Sequence, residues 1–177
     1  MRQGERYPIM FMKGFSMLLS KFTPADKPLY ELLAFDEQAM GMNYGRVFTE
    51  EEAEFIFAAM LEANEKEGPF GYYKVYEAEE FMGMGALAEA EDGGAEIEYV
   101  LLPRFWGRGL GTELARTLVE MAEEAGAERL AAITDPANER SRRILRGLGF
   151  GLVKSYINED GDPAELYEKS VRREGEI

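Results

Sequence analysis

The run Val100-Leu-Leu-Pro-Arg-Phe-Trp-Gly-Arg-Gly-Leu-Gly-Thr112 decides how the rest of the chain is read. An apolar strand stops at Pro103, which cannot donate to a sheet ladder. Gly107, Gly109 and Gly111 follow, each separated by one residue. Leu110, Leu114, Leu118, Met121 and Ala125 then recur at helical spacing. A strand, a glycine turn and a helix start let peptide N–H groups approach a ligand closely. About four N–H groups at such a start have no partner within the helix, and the helix end carries roughly half a positive charge. That combination suits an anion, most naturally a phosphate. The dinucleotide pattern G-x-G-x-x-G fails, because Thr112 stands where its last glycine is needed. The P-loop pattern fails as well, since no G-K-[ST] occurs. Taken alone, the turn could equally be a glycine-rich connection that holds nothing.

One strand later lies Asp135-Pro-Ala-Asn138-Glu-Arg-Ser141-Arg-Arg-Ile-Leu145-Arg-Gly-Leu-Gly-Phe150. Pro136 keeps Asp135 extended. Asn138 is placed as a helix cap, a role that could be its whole function. Ser141 and Leu145 lie on one face of the helix it opens. Together the two stretches resemble the GNAT superfamily of N-acetyltransferases, which use acetyl-CoA. A variant of the superfamily's Q/R-x-x-G-x-G/A signature is present, with Trp106 in the first position, followed by Gly109 and Gly111. A second register, through Arg104, Gly107 and Gly109, fits Pro103 less well. The Trp-Gly-Arg-Gly variant is similar to the branch that acetylates ribosomal-protein N-termini. The similarity runs over residues 15–171 and is specific over 96–150.

The resemblance implies an α/β fold of the acyl-CoA N-acyltransferase type, a central mixed sheet with helices on both faces. It implies that the backbone of Leu101 and Leu102 pairs with the pantetheine arm of acetyl-CoA. Trp106 and Gly107 would enter the loop, and the amides of Arg108, Gly109, Leu110, Gly111 and Thr112 would hold the pyrophosphate. Asn138 and Ser141 would contact the arm from the other side. Arg142 shares the Asn138 helix and would meet phosphate, although a solvated basic face explains Arg140, Arg142, Arg143 and Arg146 equally well. The chain departs from some members at Leu145, where they carry a tyrosine acid. Tyr156 is then the remaining guess for the proton donor.

A base can be sought from alternation alone. Along Glu96-Ile-Glu-Tyr-Val-Leu101, Ile97, Tyr99 and Leu101 share one face, and Glu96, Glu98 and Val100 share the other. A carboxylate inside a central strand is costly unless it faces a wet cleft. Glu98 is therefore the candidate to take a proton from an amine, the alternative being an ordinary exposed glutamate.

Composition narrows the chemistry. The 177 residues are 46% hydrophobic and 31% charged, enough for one domain over residues 15–177 behind an N-terminal arm, 1–14. There is no cysteine and no histidine, which excludes thiol nucleophiles, Ser-His-Asp catalysis, and metal sites built on thiolate or imidazole. No metal is expected. A net charge of −14 argues against nucleic acid. Residues 104–146 nevertheless hold eight arginines against seven acidic residues, a local net of +1 within a strongly acidic chain. No apolar run is long enough for a membrane span. Residues 8–22 resemble a secretion signal until Lys13 interrupts them, so a cytoplasmic protein is expected.

Patterning predicts strands at 15–22, 70–76, 81–88, 95–102, 130–134, 151–157 and 164–171. It predicts helices opening at Thr23-Pro24, at Thr49 with its capping box to Glu52, at 109 and at 138. Residues 36–48 read as a loop holding Met40, Met42, Tyr44 and Phe48; the resemblance implies that such a loop shapes an acceptor pocket, while burial statistics favour tucking these residues into the core. An acidic surface suits a cationic acceptor, either a small-molecule amine or a protein N-terminus, and equally suits solubility alone. Two other readings stay open: a regulatory module that binds CoA or phosphate without turnover, and a domain whose Met- and Phe-rich arm packs on a second copy as a homodimer.

Overall fold

The computed structural model describes residues 10–12 and 15–171. In chain order the elements are β1 (Met10–Met12), β2 (Phe15–Lys21), α1 (Lys27–Ala34), α2 (Glu37–Tyr44), α3 (Glu50–Asn64), β3 (Gly71–Glu77), β4 (Glu80–Glu89), β5 (Ala95–Leu101), α4 (Leu110–Glu124), β6 (Arg129–Thr134), α5 (Glu139–Gly147), β7 (Gly151–Ile157) and β8 (Pro163–Ser170). The strands form one mixed sheet in the order β1-β2-β3-β4-β5-β6-β8-β7. Every neighbouring pair is antiparallel except β5 and β6, which are parallel and joined through α4.

Alternation along β5 sorts the two layers as the sequence implies. Tyr99 pairs with Gly85, and a side chain at Gly85 would press on Leu114 and Leu118 of α4. Glu98 and Val100 turn the other way, toward Tyr30 and Leu33 of α1 and Met60 of α3. Helices therefore cover both faces. One face centres on Leu110, Leu114 and Leu118, and the other on Leu33, Phe57 and Met60, all buried. At Gly83 (φ +155°) a Cβ would run into the Val100 carbonyl, so β4 needs glycine there to lie close to β5.

The feature that matters for function is a parting of strands. β5 and β6 pair only at Ala95–Leu130 and Glu96–Ala131. Beyond those residues the two strands diverge and leave a wedge. The Leu102 amide donates to the Met82 carbonyl at 2.9 Å. An antiparallel ladder alternates its bonding direction. Tyr99 and Leu101 therefore turn their peptide groups away from β4 and into the wedge.

Several expectations need correction. Regular structure begins at β1 within the expected arm, because Met10–Met12 pairs with residues 15–17 of β2. The rest of that arm, 1–9 and 13–14, lies outside the described residues. The expected loop 36–48 contains α2, capped by Asp36, whose carboxylate accepts from the Ala39 amide at 2.8 Å. In α3 the spacing of Phe55, Ala58, Ala59 and Met60 through Ala63 suggests an apolar stripe, of which only Met60 is buried: Phe55 is 77% exposed, and the buried residues are Ala53, Phe57 and Met60. The first helix begins after a 3-10 turn at Pro24–Asp26, which leaves Pro28 in the first turn of α1, where its missing N–H costs nothing.

Candidate functional site

The wedge opens on two sides of β5. On one side is a groove of about 270 Å³ between the glycine turn and α5. On the other is a cavity of about 350 Å³ bounded by the end of α2, β5, β6 and the β7–β8 turn. The two share Asn43, Tyr99 and Ser141.

The groove side is built on backbone. Gly107 (φ +73°) and Gly109 (φ +79°) are left-handed, a conformation that favours glycine. Gly109 caps α4 without a side chain, and the first intrahelical bond runs from the Glu113 amide to the Gly109 carbonyl at 3.2 Å. The amides of Leu110, Gly111 and Thr112 therefore have no acceptor within the helix. The Leu110 side chain is fully buried in the core, so only its peptide group serves the loop. The Trp106 indole N–H donates to the Leu101 carbonyl at 3.0 Å, and the Arg140 guanidinium lies 4.3 Å from the Trp106 ring centre. No carboxylate lines this groove among the described residues. A polyanion with an apolar arm fits that donor set.

At the seam, Asn138 caps α5 by accepting from the Ser141 amide at 3.1 Å. Its amide nitrogen donates to Asn43 of α2 at 3.4 Å. The hydroxyls of Tyr99 and Ser141 lie 3.1 Å apart. Burial pushes the Tyr99 phenol up to about 12, against the opposing effect of Ser141, so it stays protonated at neutral pH.

The cavity side is acidic. Glu98 is half-buried and accepts a hydrogen bond from the Tyr44 hydroxyl. Burial raises its carboxyl above the usual range, and the Tyr44 bond only partly offsets this. Glu96 is raised too, by burial and then by the charge of Glu98. Asp135, Asp160 and Asp162 complete the acidic lining. Arg46 is the cation of this wall among the described residues, and Glu52 holds it through two bonds of 2.7 and 2.8 Å.

Three expected residues are used otherwise. Arg142 does not face the groove: its guanidinium bonds Glu139 at 2.6 Å and the buried Glu165 at 3.0 Å. The Leu102 amide is committed to β4. The Arg108 side chain turns to Glu77 at 3.3 Å, which leaves its backbone alone at the loop. Tyr156 sits on the edge strand β7 under Lys154, outside both openings. Leu145 is fully buried core. Met42 lines the groove, Tyr44 and Phe48 line the cavity, and Met40 is core. Sequence reasoning missed Asn43, Tyr99, Arg140 and Arg143 as site residues. The period-two pattern of β5 was the available signal for Tyr99.

A family model described as the acetyltransferase (GNAT) domain matches residues 16–151. The chain is 30% identical over 152 residues to the FsC-acetyl coenzyme A-N(2)-transacetylase of Aspergillus fumigatus, covering 79% of this chain and 65% of that protein. It is 31% identical over 94 residues to the uncharacterized N-acetyltransferase YoaA of Bacillus subtilis, covering 51% of this chain and 52% of that protein. The matches thus span between about half and two thirds of these curated relatives. Among solved structures, the RimL ribosomal L7/L12 alpha-N-protein acetyltransferase in complex with coenzyme A superposes with a TM-score of 0.75 at 18% identity, covering 94% of this chain and 98% of that one. The aminoglycoside acetyltransferase AAC(6')-Ib in complex with coenzyme A gives 0.71 at 22%, covering 88% and 95%. At these identities the likeness shows the fold. No helix among the described residues is long and apolar enough to cross a membrane.

Proposed function

The chain belongs to the GNAT acetyltransferase family, and from that premise we propose that it moves the acetyl group of acetyl-CoA to an amine by direct attack in a ternary complex. The observation that carries this reading is the continuity of the wedge. A loop of free amides opens one end, a raised carboxylate opens the other, and Tyr99 and Ser141 lie between them. The amides of residues 108–112 would take the pyrophosphate, and Tyr99 and Leu101 would offer peptide groups to the pantetheine arm. Asn138 and Ser141 would flank that arm.

Acetyl-CoA supplies an activated thioester, and the chain supplies placement. Holding two reactants together contributes on the order of 7–11 kcal/mol. Glu98 takes the proton of the attacking amine, directly or through water, for a further roughly 10²–10⁴-fold. A strand amide near Leu101 would stabilise the charge that gathers on the carbonyl oxygen. The Tyr99–Ser141 hydroxyl pair would return a proton to the departing sulfur. No covalent enzyme intermediate is required, in keeping with a chain without Cys or His. The acidic cavity supports a cationic acceptor, a small-molecule amine or a protein N-terminus. The expected cytoplasmic location belongs to this reading as well.

Thiol release from acetyl-CoA tests it, with a panel of an aminoglycoside, a polyamine and a peptide N-terminus. The absence of cysteine removes protein background from the thiol assay. Amine-dependent release is expected. Thermal stabilisation by acetyl-CoA with no release for any amine would instead identify a coenzyme-binding module.

A further inference from the structure

We propose that Arg143, together with Arg140, binds the 3′-phosphate on the ribose of coenzyme A and so makes the site discriminate the coenzyme from its 3′-dephospho form. This rests on the reading of the groove as the acetyl-CoA site. The argument begins with how α5 divides its arginines. Arg142 points to β8, where Glu165 (5% exposed) and Glu139 hold it. Arg146 is exposed and lies outside the groove. Arg140 and Arg143, three residues apart on one helix face, both line the groove opposite the glycine turn.

They are the charged residues of that lining among the described residues. In a chain of net charge −14, two cations set side by side with no carboxylate between them run against the composition. Neither arginine makes an ion pair with another described residue. Like charges at this spacing repel, and a doubly charged anion relieves that repulsion. A phosphomonoester carries roughly −1.5 to −2 near pH 7. Coenzyme A has two anionic groups, the diphosphate and the 3′-phosphomonoester. The turn already offers free amides to the diphosphate, which leaves the monoester for the facing wall. Guanidinium groups suit it, because their planar fork meets two phosphate oxygens at once. Arg140 is also oriented by its stack on Trp106.

The test is calorimetric binding of CoA and 3′-dephospho-CoA to the full chain, with turnover of both acetyl thioesters measured beside it. Wild type is expected to bind CoA about tenfold or more tighter than the dephospho form, as one charge-assisted contact allows. Arg143→Ala should lose most of that preference while binding dephospho-CoA within about twofold of wild type. Arg143→Lys should retain part of it, since an ammonium keeps the charge but not the fork. Arg146→Ala should keep the wild-type preference. Equal affinity of wild type for both coenzymes would overturn the proposal. So would an equal weakening of both by Arg143→Ala, which would put the guanidinium on the diphosphate or in the helix alone. If wild type bound neither coenzyme, the acetyltransferase reading would fall with it. Turnover without discrimination would leave that reading intact and remove only this one.

Discussion

At the scale of single residues, Glu98 carries the sharpest consequence. Burial raises its carboxyl, and only the ionised form accepts a proton from an amine. Turnover should therefore fall with acidity around a midpoint above the ordinary carboxylate value of about 4.3. Glu98→Gln should lower kcat by roughly 10²–10⁴-fold and remove that limb from the kcat/KM profile. A profile unchanged by the substitution would take Glu98 out of the role. The difference between Arg142 and Arg143 belongs to the same scale. One residue along a helix is a rotation of about 100°, since a turn holds about 3.6 residues. Charge counting over residues 104–146 found the basic segment. It could not tell which arginines turn to β8 and which to the groove, because buried Glu165 on a distant strand decides that.

At the scale of elements, α2 couples the two halves of the site. Its end supplies Asn43, which meets Asn138, and Tyr44, which meets Glu98. The helix is short, and Asp36 caps it. Asp36→Ala should cost about 1 kcal/mol of stability. It should also raise the KM for the amine more than that for acetyl-CoA, as urea unfolding and steady-state kinetics would show. The sequence held signals for α2: Asp36 as a cap and Gly45, left-handed, as a stop. Its two buried residues, Ala39 and Met40, are adjacent and leave no stripe to read. The α3 stripe misled for a related reason. Phe55 and Phe57 stand on different sides of the helix, and the Tyr30 ring, 5.3 Å from Phe57, selects the second. The glycine turn, α4, the cap at Asn138 and the two faces of β5 were legible, because local spacing and backbone chemistry determine them. The parting of β5 from β6 was not, since strand divergence is set by packing across the sheet.

At the scale of the whole molecule, ionisable groups pull stability in two directions with pH. Asp26 is held below its ordinary value of 3.8: burial alone would raise it, but bonds from Lys74 (2.7 Å) and Thr23 outweigh that effect. A depressed carboxyl contributes stability above its unfolded pKa and loses it as pH falls through its folded one. Glu52, brought down to about 2 by Arg46 and the Thr49 amide, acts in the same sense. Glu96 and Glu98 are raised, so their cost to the fold is present at neutral pH and is relieved as they protonate. Urea unfolding should thus show stability held or slightly increased just below neutrality, then falling below about pH 4. Lys74→Met should flatten that acid fall, and an equally steep fall would exclude the Asp26 pair as its source.

The divergence of β5 from β6 has one more consequence. The central strand of this sheet is stitched along a single border where its neighbour has drawn away, and Tyr99 with the amide of Leu101 is left holding loose threads. Any guest carrying amides of its own can be sewn into that seam as though it were a missing strand. Pairing of that kind would draw on the main chain alone, with the side chains around it free to set which guest is held.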